Sequence, residues 1–373
     1  MRRSPPRRRT SPWADPGRRR RLLLSLPKTD LHVHLDGSLR PGTIFDLARE
    51  QGLRLPVRDE AALQEFLDGL TTGVSLPEYL KAFDLTLRVL QTRAALVRAA
   101  FELAEDNHLE NVRYFEVRYC PALHTRRGLS MEATIEAVHE GLARARRKYG
   151  IESGIIICGI RHKSPRLSVR LAEVAVAYWG KGVVGFDLAG AERDFPAKAH
   201  RRAFDLVSKN HLNVTVHAGE AFGPASISQA LHYGGAHRIG HGTRLGEGRK
   251  VLDYVNDHRV PLEMCLTSNV QTGAVKRASA HPFHRYLKAG LRVTLNTDNR
   301  LVSGTTMTEE LDRAVRAFRL TPDDVRHILV NGFKSAFLPV RRKASLLRAS
   351  LREMDERFRR AGVLPAERGP EVL

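Results

Sequence analysis

The run Asp30-Leu31-His32-Val33-His34-Leu35-Asp36 lies at the end of the first apolar stretch of the chain, KTDLHVHL at 28–35. Side chains alternate across a strand, so His32 and His34 project from the same face near its end. Two imidazoles at i and i+2 on one face make good metal ligands. Endings of the same kind recur. His217-Ala218-Gly219-Glu220, His237-Arg238-Ile239-Gly240-His241-Gly242 and Asn296-Thr297-Asp298-Asn299 each finish a short apolar run. A lone histidine at a strand end is ordinarily structural; the weight here comes from several such endings in one chain.

Working outward from these endings, strands are expected near 28–35, 111–119, 152–160, 183–190, 213–218, 238–243, 260–268 and 291–297. Between them lie stretches such as 131–147 and 198–209, where apolar residues return every three or four positions. Alternating strand and helix implies a parallel sheet. Eight strands at this rhythm predict an α/β fold, a (β/α)8 barrel of the TIM type, with an open doubly wound sheet as the alternative. No dinucleotide fingerprint or phosphate loop follows any strand, which counts against a nucleotide-cofactor version of the open sheet. The segment between the first two strands is too long for one crossover helix. It predicts helices over 42–51, 59–69 and 76–106, laid partly over the C-terminal mouth of the barrel. Residues 322–361 read as closing helices. In a closed barrel all strand C-termini converge at one end, where active sites sit, so the scattered polar endings would meet there.

Composition bounds the rest. Hydrophobic residues make up 42% of 373 and aromatics 6%, so the core is expected to be aliphatic and alanine-rich. The formal charge is +20, and residues 1–21 hold nine arginines against one acid, Asp15, which concentrates +8 of it. With Pro5, Pro6, Pro12 and Pro16 among them, these residues read as a disordered basic arm. Residues 22–363 read as a single domain and 364–373 as a flexible tail. The apolar stretch Leu22-Leu23-Leu24-Ser25-Leu26 is shorter than the ~7–15 residues of an export signal. No stretch approaches the ~18 apolar residues of a membrane span. Cys120, Cys158 and Cys265 are far apart and form no CxxC pair, which excludes a cysteine-built zinc site and fits a reduced compartment. The chain reads as soluble and cytoplasmic, with no membrane partner; its oligomeric state is not legible. Histidine and carboxylate donors without thiolate suit zinc, with iron, manganese or cobalt as substitutes.

Several blocks taken together resemble the adenosine deaminase family: DLHVHLDGSL at 30–39, DLAGAE at 187–192, HAGE at 217–220, RIGHGTRL at 238–245, LEMCLTSNVQTGAV at 262–275, LNTDN at 295–299 and NGFKSAFLP at 331–339. The resemblance implies that His32, His34, His217 and Asp298 hold one Zn2+ per chain. It implies that Glu220 donates a proton to purine N1 and that His241 orients the attacking water and stabilises charge in the transition state. Asp36 would bind a ribose hydroxyl, the Gly190 backbone would approach purine N3, and His34 would touch substrate as well as metal. The chemistry asks for these residue types. Adenine C6 is a poor electrophile, and zinc lowers the pKa of a water from 15.7 toward ~7. Attack at C6 builds negative charge at N1, where a protonated carboxyl helps; burial raises a carboxyl for that role. The HxE…PCxxC pattern of the other zinc deaminases is absent.

One position departs from the family pattern. Many members carry two consecutive aspartates where this chain has Asp298-Asn299. N7 is an acceptor, so a carboxyl serves it only when protonated, whereas the Asn299 amide donates at any pH. The stripe Tyr79, Leu80, Phe83 lies on one helical face and by resemblance would wall the ribose side; ordinary core is the alternative. The expected activity is hydrolytic deamination of a purine nucleoside, adenosine or deoxyadenosine, in purine salvage. Adenine and aminofutalosine are same-class alternatives; AMP is less supported, for lack of a phosphate cradle. A different-class alternative is an anionic-polymer binder using the arm. Nucleic acid is not the expected partner.

Overall fold

In the computed structural model, which describes residues 13–363, eight short strands follow one another in sequence order around a single sheet. They are β1 (Lys28–His34), β2 (Val112–Tyr119), β3 (Glu152–Ile160), β4 (Val183–Ala189), β5 (Asn213–Ala218), β6 (Arg238–His241), β7 (Leu262–Met264) and β8 (Val293–Leu295). Successive neighbours are parallel, and a parallel neighbour requires a crossover. Helices supply it: Met131–Tyr149 leads from β2 to β3, Pro165–Ala177 from β3 to β4, and Pro224–His232 from β5 to β6. The first of these starts where Ser130 Oγ accepts from Ala133 N (3.1 Å) and stops at Gly150, which takes φ 72°.

The barrel closes through a parallel bridge between Val33 and Asp298. There His34 N donates to Asp298 O (2.7 Å) and Asp298 N donates to His32 O (2.8 Å). The closing seam therefore runs through three expected ligands. The fold is the (β/α)8 barrel that the alternation predicts, and the open sheet is excluded.

Three expectations move. The predicted seventh strand, 260–268, shrinks to three residues, because Leu266–Gln271 turns helical after Cys265. The predicted helix 76–106 is interrupted: Leu90 leaves helical geometry (ψ 43°) and Thr92 caps a new helix, Arg93–Leu109, by accepting from Ala95 N. Gln91 at the break donates to Leu87 O (2.6 Å) and Leu123 O (2.9 Å), tying it to the loop after β2. The basic arm also shortens. Residues 16–21 belong to the helix Pro16–Ser25, where Asp15 caps Arg18 N (2.7 Å) and Pro16 sits in the first turn. That helix buries Leu22 and Leu23, pairs Arg19 with Asp312 (2.8 Å), and directs its terminal carbonyls at the buried Lys28 ammonium, with Nζ 2.7 Å from Leu23 O. Residues 1–12 of the expected arm and the expected tail 364–373 lie outside the described residues. No helix among the described residues is long and apolar enough to cross a membrane.

The aliphatic core expected from composition lies between strands and helices, with Leu103, Ile135, Val138, Ile155, Ile157 and Leu171 all buried. The lumen is different. It holds Glu116, Arg118, Asp187, Arg238 and Glu263, all essentially inaccessible to solvent.

Candidate metal centre and active site

The C-terminal ends of β1, β5 and β6, with the turn after β8, bring His32, His34, His217, His241 and Asp298 together. Ligand atoms of His32, His217, His241 and Asp298 all lie within 4.8 Å of one another. His34 adds to this set, with Nε2 3.3 Å from His217 Nε2 and 3.4 Å from Asp298 Oδ1. His241 and Asp298 both hold positive φ (63° and 60°), a strained conformation for residues with a Cβ. Such strain persists where surrounding structure over-determines it. For Asp298 that structure is the closing bridge to β1.

Each inner histidine is oriented from behind. His32 Nδ1 lies 2.8 Å from Glu263 Oε2, and His217 Nδ1 lies 2.9 Å from Asp187 Oδ2. Both Nε2 atoms are thereby turned inward, the arrangement in which a carboxylate fixes the tautomer of a metal-binding imidazole. His32 Nε2 is fully buried, makes no hydrogen bond, and sits 3.5 Å from Asp298 Oδ1. Burial pushes the His32 imidazole down to about 4 and His34 well below its usual value, so both present lone pairs at neutral pH. Burial disfavours ionised Asp298, but the imidazoles around it outweigh that and hold the carboxyl well below its usual range. Burial likewise opposes charged His217, and the Asp187 carboxylate outweighs it, raising that imidazole. A cation would displace the His217 Nε2 proton, so affinity for it should rise with pH.

The buried lone pairs of His32 and His34 face the Asp298 carboxylate at 3.5 and 3.4 Å and repel it without a shared cation. Donors at tetrahedral zinc distances of ~2.0–2.1 Å stand roughly 3.3–3.4 Å apart along the tetrahedron's edges, matching these separations. The site is a buried set of histidines and one aspartate with the donors and spacing of a metal centre.

His241 stands in that set but faces a different partner. Phe283 N donates to His281 Nδ1 (3.1 Å), so His281 carries its proton on Nε2 and donates to Asn269 Oδ1 (3.0 Å). Thr243 Oγ1 donates to the same oxygen (3.0 Å). The Asn269 amide nitrogen must then point at His241 Nδ1 (3.1 Å), which accepts. His241 therefore carries its proton on Nε2, 3.6 Å from Glu220 Oε2, as a donor toward the cavity.

Glu220 follows β5 and is buried; Thr272 Oγ1 donates to its Oε1 (3.0 Å). Burial raises its carboxyl above the ordinary glutamate value. Its loop is fixed by Glu192, whose carboxylate accepts from the backbone nitrogens of Gly219 (2.6 Å), Glu220 (3.0 Å), Ala221 (2.6 Å) and Phe222 (3.0 Å). A cavity of about 220 Å³ opens over these groups, lined also by His34, Asp36, Gly190 and Asn299. Tyr79, Leu80 and Phe83 wall it, so the stripe read from the sequence does face the site. Asp36 is buried, burial raises it to about 7, and its Oδ1 has no partner. Gly190 takes φ 92°, and a Cβ there would press on the His162 ring at 3.1 Å.

The residues that the sequence reading passed over stand behind these. Arg118 bridges Asp187 Oδ2 and Glu263 Oε2 at 2.9 Å each and so ties together the two carboxylates behind His217 and His32. Arg238 continues the chain from Glu263 (2.5 Å) to Glu116. The available signal was a charge at an inward position of each of β2, β4, β6 and β7. Asn269 and His281 carry no such periodic signal.

The comparisons with known proteins agree with this geometry. The family profile described as Adenosine deaminase matches residues 27–351. Over 338 residues the chain is 43% identical to adenosine deaminase 1 of Streptomyces coelicolor, covering 86% of this chain and 85% of that one. It is 39% identical over 317 residues to the adenosine deaminase of Clostridium kluyveri, covering 85% and 91%. Among solved structures it is similar to an adenine deaminase of Arthrobacter aurescens (TM-score 0.83, 27% identity, 88% and 98% covered). It is also similar to an Arabidopsis N6-mAMP deaminase (TM-score 0.79, 28% identity, 89% and 99% covered). With its profile matched over most of the chain and its metal-binding side chains gathered at the barrel mouth, this protein belongs to the adenosine deaminase family of hydrolases.

Proposed function

We propose that the chain hydrolyses adenosine and deoxyadenosine to the inosine products and ammonia, using zinc held by His32, His34, His217 and Asp298. The approach of His34 Nε2 to His217 Nε2 (3.3 Å) and Asp298 Oδ1 (3.4 Å), with the Nε2–H tautomer of His241, supports placing His34, rather than His241, in the ligand set. Zinc when bound supplies Lewis acidity that favours deprotonation of a water near neutral pH.

The chain's own groups do the rest. Glu220, whose burial makes it hold its proton to higher pH than an ordinary glutamate, donates to N1 as negative charge develops on the ring. His241 offers its Nε2 proton to the attacking oxygen, positioning it and stabilising its charge. The Gly190 backbone lies against the ring edge at N3. The Asn299 amide gives one N–H to Tyr79 Oη (3.1 Å) and keeps the other for N7. Asn299→Asp should retain turnover and add an ionisation to the pH–rate profile; an unchanged profile contradicts the N7 contact.

The observation that carries the nucleoside reading is the buried Asp36 Oδ1 without a partner, beside His34 in the cavity, where a ribose hydroxyl would satisfy it. Adenine would leave it orphaned. A second reading, a 5′-phosphorylated substrate, is favoured by Arg126 and Lys163 at the cavity lining, cations that the sequence reading did not place there. The test is kcat/KM for adenosine, deoxyadenosine, adenine, aminofutalosine, AMP and N6-methyl-AMP. Adenosine should exceed adenine by more than about 10²-fold, since losing a buried hydrogen-bonding group penalises the smaller analogue heavily. Preference for a nucleotide or for the free base overturns the proposal.

A further inference from the structure

At the opposite end of the barrel, the N-terminal ends of β5, β6, β7 and β8 surround a second cavity of about 520 Å³. Its lining includes Arg259, Arg292 and Lys343, together with His237 and His258, and contains no aspartate or glutamate. Arg238 is also there, but its guanidinium is engaged by Glu263, Glu116 and Ser335 O (2.8 Å). Arg259, Arg292 and Lys343 are not neutralised in this way. Arg259 donates to Asn256 Oδ1 (3.1 Å) and Gly290 O (2.6 Å), which are uncharged. Among the described residues neither Arg292 nor Lys343 forms an ion pair with a carboxylate.

These groups feel one another. Burial lowers Arg292 and Lys343 below their usual values; Arg259 lowers Arg292 further, and Arg238 and Arg292 lower Lys343. Glu116, itself held by Arg238 and by Phe337 N (2.6 Å), is the carboxylate that opposes this at Lys343. Half-buried like charges that repel one another are stabilised by an anion placed among them. The cavity suits a small molecule rather than a polymer chain, and guanidinium forks match phosphate oxygens.

We propose that this cavity is a binding site for an oligophosphate group, free or as the phosphate tail of a nucleotide, held by Arg259, Arg292 and Lys343 and separate from the catalytic mouth. Two or three cations converging on one pocket favour a multivalent anion over a single phosphate. The site lies on the face of the barrel that does not carry the catalytic loops, so its occupancy leaves the substrate cavity open.

The test is calorimetric titration of the full-length, metal-loaded protein at low ionic strength. The probes are inorganic phosphate, pyrophosphate, ATP and a single-stranded oligonucleotide. Metal content is read alongside, so that chelation at the catalytic centre is recognised. Pyrophosphate should bind once per chain and at least about tenfold more tightly than phosphate. In R292Q/K343Q it should bind at least about tenfold more weakly, with adenosine turnover unchanged. ATP binding with pyrophosphate-like sensitivity to the double variant identifies a nucleotide tail; ATP failing to compete identifies the free anion. R259Q, at an exposed position, should weaken binding in the same direction should the double variant not fold. Equal binding to wild type and double variant, no binding of pyrophosphate, or oligonucleotide displacing pyrophosphate from the site overturns the proposal.

Discussion

Replacing Glu220 by Gln should leave one metal ion per chain and lower kcat by about 10²–10⁴-fold, the range that a positioned general acid contributes. Glutamine fills the same volume and can still accept from Thr272 Oγ1, so the loop held by Glu192 should not move. What it lacks is a transferable proton. Burial raises the Glu220 carboxyl, and the protonated form is the active one. Activity is therefore present at lower pH and lost as pH rises through that raised value, and this alkaline limb should vanish from the residual activity of E220Q. His217→Ala, by contrast, should lose metal and turnover together, because it deletes an inward-facing donor. Metal analysis and pH–rate profiles of the two variants check both statements. Normal turnover in E220Q would show that the proton comes from elsewhere.

Arg118→Met should destabilise the fold by about 3–5 kcal/mol, the usual consequence of removing one partner from a fully buried ion pair. Arg118 is inaccessible to solvent and bonds Asp187, Glu263 and Leu31 O (2.6 Å). Without it, two buried carboxylates face each other across the lumen with only histidines and Arg238 to balance them. Because those carboxylates aim His217 and His32, zinc affinity should also fall by about 10–100-fold. Arg118→Lys should recover part of the stability but less of the affinity, since an ammonium cannot bridge both carboxylates as a guanidinium does. Denaturant midpoints and chelator competition separate the two effects. A stable Met variant with unchanged zinc affinity would show that the ladder does not organise the centre.

The barrel was legible because each strand is a short apolar run bounded by turn residues, and because polar residues gather at the C-terminal ends of those runs. His32, His34, His217, His241, Glu220 and Asp298 were legible for that reason, with roles supplied by the family resemblance. The residues behind them were not. Arg118, Asp187 and Glu263 show in the sequence only as charges within strands, and what pairs them is barrel closure, which no local pattern encodes. Asn269 and His281 fix the His241 tautomer from a short helix and a loop, where spacing carries no period. The N-terminal helix was missed because charge composition was weighed without the Asp15-Pro16 start signal, and the break at 90–92 because apolar periodicity runs across it.

All of the proposed chemistry depends on which four side chains grip the ion. An anomalous-diffraction map of zinc-loaded crystals tests this directly. The expected result is one zinc bonded to His32, His34, His217 and Asp298, with His241 Nε2 beyond bonding distance and directed at the coordinated solvent. Zinc bonded to His241 with His34 free, or no ion at the barrel mouth, would contradict it.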